Sequence, residues 1–222
     1  WWIKRVEAAS KLFDITRIDH FRAFDTYYAI PYPAENAIGG EWKIGPGMDF
    51  FNTLKGALGD IPIVAEDLGE LFDSVKQLLS DSGYPGMKVL TFGFGDGWDN
   101  DFLPHRYTSN CVVYTGTHDN DTVNGWLSTA PQSEIDFAKQ YCNIGDGDDF
   151  CWKIVETCYS SVADYCIVQL QDVLGLGSEA RINIPSTLGG NWTWRVNPEM
   201  LTKELSERLY NLAQTYSRLE EN

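Results

Sequence analysis

Apolar residues fall along this chain in two alternating rhythms, short continuous runs and longer stretches with helical spacing. The runs Phe13–Asp19, Ile61–Glu66, Met87–Phe92, Cys111–Thr117 and Asp164–Gln169 read as strands. Between them the spacing predicts helices near 48–58, 70–80, 119–128, 133–143 and 149–160. Residues 1–13 bring Trp2, Ile3, Val6, Ala9 and Phe13 into the pattern of a further helix. Asn197 and Pro198 read as the N-cap and first turn of a last one. Its apolar stripe is Leu201, Leu205, Leu209, Leu212, Tyr216 and Leu219. The Gly- and Pro-rich stretch 31–47 reads as a long loop after the first strand.

Strands alternating with helices imply an α/β fold with a parallel sheet, either open and doubly wound or part of a (β/α)8 barrel. No repeat or Pro/Ser-rich linker divides the chain, so a single domain is expected. In both architectures function gathers at the C-terminal ends of the strands.

Three such ends are acidic. The first strand closes with Arg17, Ile18 and Asp19, and alternation puts Arg17 and Asp19 on one face. A guanidinium beside Asp19 would keep the carboxylate ionised and nucleophilic; taken alone, a structural ion pair accounts for it as well. The second strand closes with Ala65, Glu66 and Asp67. A Glu leaving an apolar strand tends towards a raised pKa, which suits a general acid, while one of the two acids is expected to cap the next helix. The fourth strand is followed by His118, Asp119, Asn120 and Asp121, where Asn120 or Asp121 could serve as a cap. Carboxylates at three strand ends fit glycosidic-bond chemistry. One protonates the departing oxygen, a second attacks the anomeric carbon or activates water, and a third stabilises the positive charge of the transition state.

Composition narrows the field. Among 222 residues, 17 Lys and Arg against 32 Asp and Glu give a net charge of −15, which repels a phosphate backbone and argues against a nucleic acid partner. With 43% hydrophobic and 14% aromatic residues the chain is neither disordered nor low in complexity, and no apolar run is long enough to span a membrane. Eight Trp, eleven Tyr and eleven Phe supply the flat faces on which sugars stack. Cys111, Cys142, Cys151, Cys158 and Cys166 form no C-x-x-C pair and read as free buried thiols of a reducing compartment. The opening Trp1-Trp2-Ile3-Lys4-Arg5 has neither an initiator Met nor the pattern of a signal peptide, so a cytoplasmic location is expected.

Several segments together resemble the 4-α-glucanotransferases of glycoside hydrolase family 77, the amylomaltases or disproportionating enzymes. They are Arg17–Arg22, Gly45-Pro46-Gly47, Ala65–Gly69, Tyr114–Asn120, Gly175–Arg181, Asn183-Ile184-Pro185, Gly189–Trp192 and Trp194-Arg195. The resemblance spans residues 17–195 and implies a (β/α)8 barrel, of which this chain would be the C-terminal part with about five of eight strands. It implies a retaining mechanism acting on α-1,4-glucans such as maltodextrins and starch or glycogen fragments, with no cofactor. Asp19 then matches the nucleophile, Glu66 the acid/base and Asp119 the stabilising carboxylate. Arg17, His118 and Asn120 match substrate-positioning residues of the same motifs, and Asp67 keeps a structural role. Trp42 and Phe94 are stacking candidates for which core packing is an equal alternative. Ala23 and Ser186 stand where the family commonly has Gly, which implies adjusted loop geometry. Without the N-terminal half, the isolated chain is expected to be poorly stable and inactive.

The rival readings are an α-amylase-like hydrolase or branching enzyme, and a non-catalytic α-glucan-binding barrel. Ala65–Gly69 and Asn183–Trp192 favour the transferase over the first; retention of all three carboxylates disfavours the second. Gly175-Leu176-Gly177-Ser178-Glu179-Ala180 formally satisfies a dinucleotide fingerprint, but Pro185 follows too early for the required helix. The runs Asp96–Asp101 and Asp146–Asp149 lack the alternation of a calcium loop, and His20, His105 and His118 lie at no zinc spacing, so no metal site is expected.

Overall fold

The computed structural model describes residues 1–69 and 71–219. The chain runs α1 (Trp2–Ser10), β1 (Thr16–Ile18), β2 (Thr26–Ala29), β3 (Glu41–Ile44), α2 (Met48–Leu58), β4 (Ile63–Ala65) and α3 (Asp73–Ser82). It continues with β5 (Gly86–Val89), β6 (Cys111–Tyr114), α4 (Val123–Thr129), α5 (Gln132–Tyr141) and α6 (Phe150–Tyr159). Then follow β7 (Tyr165–Ile167), α7 (Leu170–Val173) and α8 (Lys203–Thr215). The expected strands appear, shorter, as β1, β4, β5, β6 and β7; β5 begins one residue earlier than expected, at Gly86, and gives way to a 3-10 turn at Leu90. The fold is mixed α/β. Position 70, at the edge of one expected helix, lies outside the described residues.

The chain divides into two compact units, Trp1–Met87 and Lys88–Asn222. The division falls inside β5, where neither composition nor a linker marks it. In the first unit β1 and β4 pair in parallel, with Thr16 opposite Ile63 and Ile18 opposite Ala65. Its core gathers Val6 of α1, Phe51 and Leu54 of α2 and Leu78 of α3 around the strands. Phe21 and Phe24 follow β1; Phe21 stacks on Phe51 and Phe24 meets it at a tilt, with ring centroids 5.2 and 5.1 Å away.

The stretch 31–47 is not simply a loop. Its second half forms β3, paired antiparallel with β2 so that Thr26 faces Ile44 and Ala29 faces Glu41. The pair escaped the sequence pattern because neither strand is buried on one face: all four residues of β3 are exposed, which removes the alternation that betrays a half-buried strand.

In the second unit β6 pairs in parallel with β7, Val112 opposite Tyr165 and Tyr114 opposite Ile167, within a sheet of order β5-β6-β7. All four residues of β6 are buried, as expected of a parallel strand covered on both faces. Leu90, Leu103, Val113, Val123, Ile154 and Cys158 form the centre of this core. The last helix begins later than the sequence reading placed it. Asn197 caps only the 3-10 turn Pro198–Met200, while Thr202 caps α8 by accepting the Leu205 N–H. Leu205, Leu209 and Leu212 then pack against Trp152, Val155 and Val173. Beyond α8, the Arg218 guanidinium donates to the carbonyls of Tyr159, Ser161 and Ala163 at 2.8, 2.9 and 3.0 Å, closing the end of α6.

Candidate active site

In the first unit the two candidate carboxylates sit where β1 and β4 end side by side. Their ladder runs past the strands proper: Glu66 N–H donates to the Ile18 carbonyl and Phe21 N–H to the Glu66 carbonyl, at 2.9 and 3.0 Å. Asp19 and Glu66 therefore leave neighbouring strand ends. The Asp19 side chain is 78% exposed and pairs with the Arg17 guanidinium, Nη1 to Oδ1 2.9 Å. Arg17 is steadied in turn by a 3.3 Å contact from Nε to the Met87 sulfur.

Glu66 is held by two main-chain donors. Its Oε2 accepts the His20 N–H at 2.7 Å and its Oε1 the Leu68 N–H at 3.0 Å. The first bond depends on His20 adopting the left-handed conformation, φ 50° and ψ 49°, a region that non-glycine residues seldom occupy. A histidine directly after Asp19 thus turns its backbone to aim the neighbouring Glu66. Nothing in the residue pattern marked His20 for this.

Neither Glu66 nor Asp67 caps α3, whose N-cap is Phe72 without a side-chain bond. Asp67 instead is buried and accepts the Met87 N–H at 2.6 Å. Its carboxylate also fills the space that a Cβ at Gly86 would need.

Trp42 lies on β3, 51% exposed. Its edge meets Tyr28 and Phe72, at 5.3 and 5.5 Å between centroids, and the Arg22 guanidinium lies 4.8 Å from the ring. Ala23, in place of the family's Gly, lies in the right-handed turn Phe21–Phe24, where a methyl group carries no backbone strain.

In the second unit His118, Asp119 and Asn120 occupy the turn between β6 and α4. The Asn120 Oδ1 faces inward, accepting the N–H and the hydroxyl of Thr117, both at 2.8 Å. That is a turn-forming role, and neither Asn120 nor Asp121 caps α4; Thr122 does so through the Gly125 N–H. His118 Nε2 lies 3.4 Å from Asp119 Oδ2, and its ring packs at 5.3 Å on Trp192. Asp119 Oδ1 accepts the Asn183 amide at 2.6 Å, and the Asp119 carbonyl accepts Arg181 Nη2 at 2.7 Å.

Beneath this turn lies Asp172, fully buried. It accepts the Thr115 hydroxyl at 2.5 Å and the Val123 N–H at 2.7 Å, tying the end of β6 to the start of α4. Burial pushes its carboxyl pKa up, against the hydrogen bonds from Thr115 and Val123.

Phe94 takes the core-packing alternative and not the stacking one. It is 2% exposed and packs against Trp126 and Phe137 in the core, so it offers no face to a sugar. The fingerprint-like Gly175–Ala180 follows α7 and leads into a three-residue 3-10 turn, without the helix that would hold a pyrophosphate. All five cysteines are free, and burial raises the Cys142 thiol to about 11 and the Cys151 thiol to about 12. Both are therefore protonated, poor nucleophiles at neutral pH. Among the described residues, no group of three His, Cys, Asp or Glu side chains could hold a metal ion. No described helix is long and apolar enough to cross a membrane.

Residues 1–202 match the family model described as 4-alpha-glucanotransferase. The chain belongs to that family. A 4-alpha-glucanotransferase of Clostridium butyricum is 45% identical over 221 residues, 99% of this chain and 45% of its own. One from Thermus thermophilus is 42% identical over 226 residues, again 99% and 45%. Among solved structures, the amylomaltase from Streptococcus agalactiae in complex with acarbose superposes with a TM-score of 0.94 at 37% identity, covering 98% of this chain and 44% of that one. The chain thus spans somewhat less than half the length of these 4-alpha-glucanotransferases.

Proposed function

We propose that this chain is the C-terminal part of a (β/α)8 catalytic barrel that transfers α-1,4-glucan segments between maltodextrins by retaining double displacement. Asp19 attacks the anomeric carbon while Glu66 protonates the departing 4-oxygen. The glycosyl-enzyme on Asp19 is then opened by an acceptor 4-hydroxyl, whose proton Glu66 takes up. Asp119 is assigned the stabilisation of positive charge in both transition states. Arg17 fixes the nucleophile through its ion pair, and His118 is assigned to sugar hydroxyls. Trp42 is assigned a stacking role at a subsite, and Asn120 acts through the Thr117 turn.

The observation that carries this reading is the placement of Asp19 and Glu66 at adjacent strand ends, with Glu66 oriented by two backbone N–H groups. Each carboxyl oxygen accepts one such bond and keeps a second lone pair for the proton in transit. Family membership makes transfer, rather than hydrolysis, the expected outcome. The five free thiols fit a reducing compartment such as the cytoplasm, and the proposed partners are α-1,4-glucans alone.

The test places the N-terminal portion of a family member ahead of residue 1 and supplies maltotriose to the completed polypeptide. Glucose plus a ladder of longer maltodextrins, at constant total reducing ends, is the expected result. Shorter products with rising reducing ends would establish a hydrolase instead, and binding without turnover a non-catalytic barrel. The 222-residue chain alone is expected to show no transfer.

A further inference from the structure

The segment 175–195 is rich in residues that no catalytic role has absorbed, and in the structure it converges on Asp119. Asn183 reaches Asp119 across 64 positions of sequence, its Nδ2 2.6 Å from Oδ1. Only the amide nitrogen can approach a carboxylate so closely, because the amide oxygen would meet it lone pair to lone pair.

Asn183 is itself held. Its carbonyl accepts Arg181 Nε at 2.9 Å, while Nη2 of the same guanidinium donates to the Asp119 carbonyl at 2.7 Å. Arg181 Nη1 also lies 3.8 Å from Asp121 Oδ2, which accepts the Ser178 hydroxyl at 2.7 Å. A Cβ at Gly125 would collide with that Asp121 carboxylate and with the Ser178 hydroxyl, so any larger residue there would have to displace both. One guanidinium therefore locks the backbone carrying Asp119 and the backbone carrying Asn183 to each other.

We propose that Asn183 is the positioning residue of Asp119. Its amide occupies Oδ1, fixes the carboxylate's rotation, and leaves Oδ2, on the His118 side, to meet the sugar. The proposal rests on the transition-state role given above to Asp119, which demands a carboxylate whose orientation is set before charge develops. Among the described residues, His118 faces the carboxylate, Arg181 binds the Asp119 carbonyl, and Asp121 lies beside Arg181.

The experiment uses the completed polypeptide and measures maltotriose transfer across pH for the parent, Asp119→Asn, Asn183→Ala and Asn183→Asp. Asn183→Ala frees Asp119 to rotate, so kcat falls about 10²-fold while KM stays near the parent's. Asn183→Asp keeps the shape but sets two carboxyls together, which share one proton at low pH and lose it as pH rises. With the proton, Asp at 183 still donates to Asp119, and kcat approaches the parent's. Without it the pair repels, and activity collapses at a pH where the parent is on its plateau. This recovery at low pH is what a residue needed only for folding would not give.

Full transfer by Asp119→Asn would overturn the role of Asp119 itself. If that variant is inactive while both Asn183 variants keep the parent's kcat and pH profile, the positioning role of Asn183 is overturned alone. Loss by both Asn183 variants at every pH, with parent-like thermal melts, would equally overturn it, since the protonated carboxyl would have failed to substitute for the amide.

Discussion

The two units hold their acids by different means. In the first, Asp19 and Glu66 ride on the ends of paired strands, and Glu66 is oriented by main-chain N–H groups of His20 and Leu68. In the second, Asp119 stands in a turn and is oriented by side chains from some sixty residues downstream, Asn183 and Arg181. The two stacking candidates differ as well: Trp42 stands half-exposed in the first unit, whereas Phe94 is buried in the core of the second. A backbone frame tolerates changes in neighbouring side chains; a side-chain frame fails one residue at a time.

The largest expected effect lies in the first unit and concerns chemistry alone. Asp19→Asn in the completed polypeptide should lower kcat by about 10⁴-fold, the scale seen when a covalent catalyst loses a member of its machinery. Its melting temperature should change little, because the side chain is 78% exposed and its one ion pair is at the surface. Kinetics and a thermal melt on the same sample check both halves. A large fall in melting temperature would mean that the Arg17–Asp19 pair is structural, the alternative that the isolated motif left open.

How much of this was visible in the residues follows from the same contrast. The acids of the first unit were legible because strand alternation and strand ends are local, and the β1–β4 register then brings them together. Asp119 was legible from the resemblance, but its partners were not: no pattern within a few residues of Asn183 points to a carboxylate 64 positions away. The β2–β3 hairpin was missed for want of a buried face, and the left-handed turn at His20 because histidine gives no backbone signal of its own. In the sequence Phe94 fits core and stacking roles equally, since an apolar run is consistent with either until its neighbours are known. Only packing could decide between them.

Next in size is the contrast between the two kinds of aromatic residue. Phe94→Ala removes a buried ring and should destabilise the protein by about 3–5 kcal/mol. Trp42→Ala should cost well under that in stability and instead raise KM for long maltodextrins. Chemical denaturation and KM measured on both variants read the two effects; a stability loss at Trp42 equal to that at Phe94 would place Trp42 among the core residues.

Asp172 tests the side-chain frame through pH. Burial raises its folded pKa above the ordinary 3.8, so over the interval between the two values the native state binds more protons than the unfolded chain. Stability contributed at this site is therefore greatest at low pH and falls as pH rises from 3.8 through the folded value. Asp172→Asn should abolish that slope. At acidic pH its cost should be small, because the protonated carboxyl of the parent, like the amide, offers one accepting oxygen to Val123 and one donor to the Thr115 oxygen. Melts between acidic and neutral pH, parent against variant, measure both; an unchanged slope would mean that the Thr115 and Val123 hydrogen bonds fully offset the burial.

The smallest effect belongs to the loop that carries Asn183. Ser186 has a φ of 64°, in the left-handed region, where a Cβ costs about 1–2 kcal/mol. Ser186→Gly relieves that strain but gives the unfolded chain more freedom to lose, which offsets about 0.5–1 kcal/mol of the gain. The net expectation is a stabilisation of about 0.5–1 kcal/mol, seen as a small rise in the midpoint of denaturation. Because Ser186 follows Asn183 by three residues in the segment that reaches Asp119, kcat should stay at or slightly above the parent's. A fall in kcat accompanied by higher stability would show that the strained serine helps to aim the clamp, and that the second unit's side-chain frame extends past Asn183.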